Sequence, residues 1–277
     1  MRKLITANFH RFSKDRFSWC VVGIIVILSL ANVFNSAGSY EAMAARGYIM
    51  SLDDYFFNQA PLIGAYLALL ISMFLGTEFS EGTIRNKLCV GHKRNQIILS
   101  NFISCVFATI ILTVVWLLTS ALLFGMIGPL EMEVSEFVGY IFVAMGFTVS
   151  FAALYTVIGS LSSNKAMTVI YTFAVFIIFA MAASALYDRL CEPEMNQGMT
   201  LVGTQFVEME PTPNPLYLSG TIRIVCEVAL ELLPTGQALL LSDVAIEYPV
   251  RAIALSVVFT TLTLLVGGML FKKKDIK

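Results

Sequence analysis

The sequence predicts an all-α integral membrane protein with six transmembrane helices, and three observations carry that prediction. Apolar residues make up 57% of the 277 positions and charged residues only 13%, about half the charge of a typical soluble domain. Mean hydropathy is +0.79, more apolar surface than a chain of this length can bury within itself. Six apolar runs, roughly 17–36, 58–76, 99–125, 139–161, 166–187 and 252–271, each exceed the approximately 17 residues a helix needs to cross about 30 Å of hydrocarbon. None of them contains Asp, Glu, Lys, Arg or His. The whole chain, 1–277, reads as a single transmembrane domain.

The elements follow in order. Residues 1–15, MRKLITANFHRFSKD, set Leu4 or Ile5, Phe9 and Phe12 at helical spacing among basic residues. That pattern suits either a helix lying in the membrane interface or a basic flank that sets topology. The first run is too long for the apolar core of a cleaved signal peptide, and five more follow it. Lys and Arg are retained on the cytoplasmic side. With the N-terminus inside, the inner segments hold fourteen of the 18 basic residues: Arg2, Lys3, Arg11, Lys14, Arg16, Arg85, Lys87, Lys93, Arg94, Lys165, Lys272, Lys273, Lys274 and Lys277. Of the 19 carboxylates only Asp15, Glu78, Glu81 and Asp275 fall inside. The expectation is a multi-pass protein of the cell membrane with both termini cytoplasmic.

Outside, the 37–57 and 126–138 loops are modest, and Glu131, Glu133 and Glu136 read as a solvated acidic loop rather than a metal site. Residues 162–165 form a tight inner turn. Small residues in the fifth run (Ala180, Ala182, Ala183, Ala185) and the sixth (Gly267, Gly268) are candidates for close helix packing. The large outer segment, 188–251, contains GTIRIVCEVALELLPTG, with Arg223, Glu227 and Glu231 on one stripe and Ile222, Val225, Ala229 and Leu232 opposite. Pro234 and Gly236 then break the helix, and Pro249 opens the last run. This reads as a helix–break–helix dipping into the outer leaflet, or as a small cap above it. Cys191 and Cys226 share this oxidising side, where a disulfide could pin the segment.

Several chemistries are excluded. The only histidines, His10 and His92, lie outside the spans, so neither an H-E-x-x-H metal site nor a serine protease base is available within the bilayer. No span carries the ionisable residue that proton- or ion-coupled transport normally needs. No phosphate-binding loop occurs, so the chain is not expected to be an enzyme, and energy for driven work must come from a partner. Nothing points to nucleic acid.

That leaves the cytoplasmic loop, 77–98, as the place for a partner. Ser80 is expected to cap a short helix beginning near Glu81, with Ile84 and Leu88 on one face, Gly82 open to a close approach and Gly91 ending it. The alternative is a topology loop with incidental order. The stretch FLGTEFSEGTIRNKLCVGHKRNQIILSNF resembles the loop between the second and third spans of ABC-2-type permeases, membrane subunits of bacterial ATP-binding-cassette (ABC) exporters. Glu78, Gly82, Thr83, Ile84, Arg85, Leu88, Gly91, Arg94 and Ile97 match the family pattern E-x-x-x-G-T-[IL]-[RK]-x-x-L…G-x-x-R-x-x-I in order. NPLYLSG (214–220) and LPTGQALLLS (233–242) are similar to Gram-positive-type members.

The resemblance implies a type V exporter fold, with an amphipathic coupling helix seated in a cleft of the ATPase and re-entrant or extracellular helices before the sixth span. It implies Glu78, Glu81, Gly82, Thr83, Ile84, Arg85, Leu88 and Arg94 as coupling residues, with Ile84 and Leu88 docking and Glu78, Glu81 and Arg85 making polar contacts or bracing the loop. It further implies cytoplasmic ABC ATPase subunits that carry the ATP and Mg, none being bound by this chain. A second permease, identical or homologous, completes the path, and membrane lipid surrounds it. Export of a hydrophobic or amphipathic substrate such as a peptide antibiotic, drug or lipid-like molecule is the expected function, with no residue assigned to substrate. The competing reading is a membrane scaffold or immunity protein that binds a peptide or lipid without driven transport; a channel is a more distant one.

Overall fold

A computed structural model of the chain describes residues 1–48, 51–197, 199–202, 205–208 and 210–274. Among them six helices are long and apolar enough to cross a membrane, so the chain is an all-α, multi-pass membrane protein. Asp275 and Lys277 of the expected basic tail lie outside the described residues.

The N-terminal segment is helical, α1 (Arg2–Lys14), and Asp15 separates it from α2 (Arg16–Ala44). The Asp15 carboxylate accepts from Phe17 N (3.2 Å), Ser18 N (3.3 Å) and Ser18 Oγ (2.5 Å), capping the free amides that open α2. Leu4, Asn8 and Phe12, four residues apart, are the buried face of α1, so the apolar stripe expected at Leu4 or Ile5, Phe9 and Phe12 has an asparagine at its centre. α2 runs well beyond the predicted first span, taking up part of the 37–57 loop. The short α3 (Asp53–Phe56) returns the chain to α4 (Ala60–Ser80). Asp53 Oδ2 accepts from Glu131 N (3.0 Å) and Met132 N (2.9 Å), tying the start of α3 to the connection between α6 and α7. Then follow α5 (Thr83–Cys89), α6 (Arg94–Ser120), α7 (Val134–Leu161) and α8 (Lys165–Cys191), whose first turn is capped by Asn164.

Among the described residues, the segment before the last helix holds two antiparallel two-stranded ribbons that the sequence reading does not anticipate. β1 (Met195–Asn196) pairs with β4 (Thr212–Pro213), and β2 (Met199–Val202) with β3 (Gln205–Glu208). After them come α9 (Gly220–Leu232), α10 (Pro234–Ser242) and α11 (Pro249–Lys273). Proline stands in the first turn of both α10 and α11, where its missing N–H costs nothing.

The bundle is organised around α4 and α7. In the most apolar windows of the α4 and α7 spans 61% of residues are buried, against 11% for α8 and α11, so the last two lie at the periphery of the bundle. An aromatic ladder fills the centre: Phe57, Trp116, Phe147, Phe151 and Tyr155 follow one another at centroid spacings of 6.5, 6.5, 6.2 and 5.5 Å. Tyr155 satisfies its buried hydroxyl by donating to Gly64 O at 3.0 Å. α11 lies along α7, and a Cβ placed on Gly267 would stand 2.2 Å from Val157 Cγ2. Gly267 thus sets that approach, whereas Gly268 has nothing among the described residues within 4 Å of the equivalent point.

Candidate functional site

The site is built at the end of the bundle where α1, the end of α4, α5 and the start of α6 meet. α4 continues to Ser80, whose Oγ donates to Gly76 O (3.0 Å). Ser80 therefore belongs to the span and is not the expected cap. Gly82 starts α5 instead, at φ +66° and ψ +13°, a left-handed conformation that glycine adopts at little cost. Thr83 Oγ1 donates back to Glu78 O (2.8 Å), closing the corner. After seven helical residues Gly91, at φ +92°, turns the chain into α6. α5 is thus a short helix between two tight glycine corners.

Glu78 is fully buried at this corner. Oε1 is 2.8 Å from Arg11 Nη1 and 2.6 Å from Lys87 Nζ, and Oε2 accepts from Asn101 Nδ2 at 2.7 Å. Asn8 donates to Asn101 Oδ1 (2.8 Å) and accepts from Lys87 Nζ (3.0 Å). Arg11 also donates to Phe74 O (3.2 Å) and stacks its guanidinium 4.2 Å from the Phe74 ring centroid. One carboxylate therefore joins four elements; two cations and the Asn101 amide replace the water it has lost, and Asn8 holds Asn101 and Lys87 in place. Asn8, Arg11, Lys87 and Asn101 were not among the predicted site residues. Asn101, a strong polar group at the start of an otherwise apolar run, was the signal available, because such a group must find a partner inside the bundle.

The apolar face of α5 points inward. Ile84 is 1% exposed and packs with Ile97, Ile98 and Phe271, with Leu88 and Leu161 beside them. The expectation that Ile84 docks a partner is corrected on this point. The start of α6 and the end of α11 already cover that side chain, because an apolar group beside the bundle is buried most cheaply by its own chain. What α5 presents outward is Arg85, Asn86, Cys89 and Val90, the last 78% exposed, with Glu81 exposed just before it. Gly82 has open space beside it. Arg94 turns away to the last helix, where Nη1 donates to Phe271 O (2.8 Å), Lys272 O (3.1 Å) and Lys274 O. It caps the free carbonyls that end α11, so it ties α6 to α11 rather than joining the exposed face. Lys274 donates to Ser162 O (2.6 Å) and Ser160 O (3.3 Å) at the end of α7, and burial pushes its ammonium down to about 8.

At the opposite end, α9 and α10 meet at a 97° bend. The break falls at Leu233, between the two helices, with Pro234 leading the second. α10 is drawn into the bundle among α4, α7 and α8. Gln237, 1% exposed, donates to Glu231 O (2.6 Å) and Ala252 O (2.9 Å) and accepts from Ser256 Oγ (2.8 Å). Arg251 holds the Glu231 carboxylate through two nitrogens, one of them Nε at 2.7 Å. On α9 Ile222, Ile224 and Val225 are exposed, while Leu230 and Glu231 face the protein. Cys191 and Cys226 are both free thiols, and no disulfide joins them in this structure.

No protein-family model matches the chain, and no curated protein matches it either.

Proposed function

We propose that this chain is the non-catalytic permease subunit of an ABC exporter, with α5 as the helix on which a separate ATPase docks. The observation that carries the reading is α5 itself: a seven-residue helix between two spans, locked from behind by Glu78 and offering Arg85, Asn86, Cys89 and Val90 on its free side. A helix fixed in this way moves as one body with α4 and α6, so a push received on its outer face reaches the spans directly. The sequence pattern from Glu78 to Ile97, similar to that of ABC-2-type permeases, points to the same role.

In this reading the end that carries α1, α5, Lys165 and the lysines of 272–274 faces the cytoplasm of a bacterial cell, as the retention of basic residues requires. The bent α9–α10 pair is a re-entrant element on the outer side. The aromatic ladder fills the centre of a single copy, which favours a path formed between two permease units, identical or homologous, as in type V exporters. The exposed apolar surface of α8 and α11 favours a hydrophobic or amphipathic cargo that reaches the path from lipid.

The test is purification of the tagged full chain from its native membrane, followed by identification of bound subunits and measurement of ATP hydrolysis. A Walker-motif ATPase should accompany the chain, and Arg85→Glu should release it while the permease keeps its thermal stability. The reading fails if no ATPase accompanies the intact chain, or if charge reversal at Arg85 leaves binding and hydrolysis unchanged.

A further inference from the structure

The outward side of α1 carries a groove that borders the Glu78 network at Arg11 and Phe74 and extends beyond it along the helix. Between α1 and α4 lies a cavity of about 400 Å³ lined by Ala7, His10, Arg11, Lys14, Asp15, Phe74, Thr77 and Glu81. A second hollow of about 440 Å³ adjoins it along the helix, lined by Arg2, Lys3, Thr6, Ala7 and His10. Ala7 and His10 belong to both, so the two form one groove along one side of α1, with the small side chains of Thr6 and Ala7 as its floor. Lys3, His10 and Lys14 are exposed along it. Two acids stand on the rim. Asp15 is committed to the first amides of α2, and Glu81 is exposed at the far side. The balance of the groove is cationic.

Its depth is marked by its neighbours. α2 begins directly after Asp15, and its outward apolar surface starts at Phe17 and Trp19, both more than two fifths exposed, and continues through Ile24 and Ile27. Trp19 Nε1 donates to Ser13 O (3.1 Å) at the end of α1, and Lys165 Nζ lies 4.9 Å from the Phe17 ring centroid. Indole and lysine at the boundary of an apolar band mark the headgroup level of a bilayer. Phe9 packs edge-on against Phe107 of α6 at 4.6 Å, and Phe107 is itself 42% exposed, so α1 lies against the same band. A cationic groove at this level faces lipid phosphates.

We propose that the groove along α1 binds the phosphate headgroups of anionic membrane lipids, with His10 and Lys14 as ligands at one end and Lys3 at the other, and the acyl chains lying along the exposed start of α2. Bound there, the lipid braces α1, and through Asn8 and Arg11 the Glu78 corner that holds α5. The inference rests on the membrane placement of the chain and not on the transport reading.

The test uses the full chain in nanodiscs of equimolar phosphatidylcholine and phosphatidylglycerol, with retained lipids counted by native mass spectrometry. Phosphatidylglycerol should be retained over phosphatidylcholine, and Lys3→Gln and Lys14→Gln should each reduce the preference about fivefold. Both side chains are exposed, so the variants should melt with the parent, and Lys14→Arg should restore retention. Lys272→Gln/Lys273→Gln, at the same end but outside the groove, should leave the preference in place. An equal loss in that control would reduce the effect to diffuse surface charge and overturn the proposal. Displacement of the lipid by inorganic phosphate would overturn the lipid as occupant. Unchanged retention in Lys3→Gln/Lys14→Gln would remove the site altogether.

Discussion

Replacing Glu78 by glutamine tests whether α5 is braced from within. Glu78 is completely buried and meets Arg11 at 2.8 Å, Lys87 at 2.6 Å and Asn101 at 2.7 Å. Glutamine keeps the size and a bond to Asn101 but removes the charge, leaving two cations without a counter-ion in a site built for one. Removing one partner of a buried pair costs about 3–5 kcal/mol. The side chains of Arg11 and Lys87 are 24% and 13% exposed, so water reaches them in part, and the lower figure, about 3 kcal/mol, applies. For a chain of this size that is a fall in melting temperature of about 6–12 °C, read by thermal unfolding in detergent, together with faster proteolysis between Glu81 and Lys93. Lys87→Met alone should cost less, about 1–2 kcal/mol, because Glu78 keeps Arg11 and Asn101. The double variant should be milder than the sum of the two, with a coupling of about 1 kcal/mol or more. If Glu78→Gln melts within about 1 °C of the parent and residues 81–93 stay protected, the bracing argument is wrong.

Three further outcomes follow from the geometry. Ile84→Asp, at a side chain 1% exposed among Ile97, Ile98 and Phe271, should destabilise the chain by several kcal/mol through a buried unpaired charge, whereas Val90→Asp, at 78% exposure, should leave the melt unchanged. Equal melts for the two would refute the assignment of faces on α5. Arg94→Gln removes donors to the carbonyls of Phe271, Lys272 and Lys274; the end of α11 should exchange its amide hydrogens faster, at a cost of about 1.5–3 kcal/mol, and unchanged exchange there would count against the cap. Gly267→Val should force α11 away from Val157, 2.2 Å from the new Cβ, for about 1–3 kcal/mol, while Gly268→Ala, with open space beside it, should be neutral in the same thermal melt.

The polar corner shows why part of the site escapes a reading of the chain. Asn8 and Asn101 are 93 residues apart; each is an ordinary polar residue locally, and only folding makes them partners of each other beside the Glu78 carboxylate. Ile84 and Leu88 were legible as one face of a helix, since helical spacing is a local property. Whether that face met a partner or the chain's own α6 and α11 depended on how those spans pack. The ribbons between α8 and α9 left no clear pattern, because they are short and lack the alternation that marks a half-buried strand. Ser80 carried the chemistry of a cap but fell inside α4, where the span simply had not yet ended.

By itself the sequence determined the six apolar helices, their approximate limits, the short helix between the second and third of them, and the break near Pro234. Each of these follows from local hydropathy, helix periodicity or the missing N–H of proline. Only the tertiary structure decided that Glu78 is a brace and not a contact, that Arg94 closes α11, that α10 is drawn into the bundle, and that the free face of α5 is the one bearing Arg85 and Val90. Those outcomes depend on which buried charge meets which counter-charge and which apolar face is covered first, and both are settled by contacts between residues far apart in the chain.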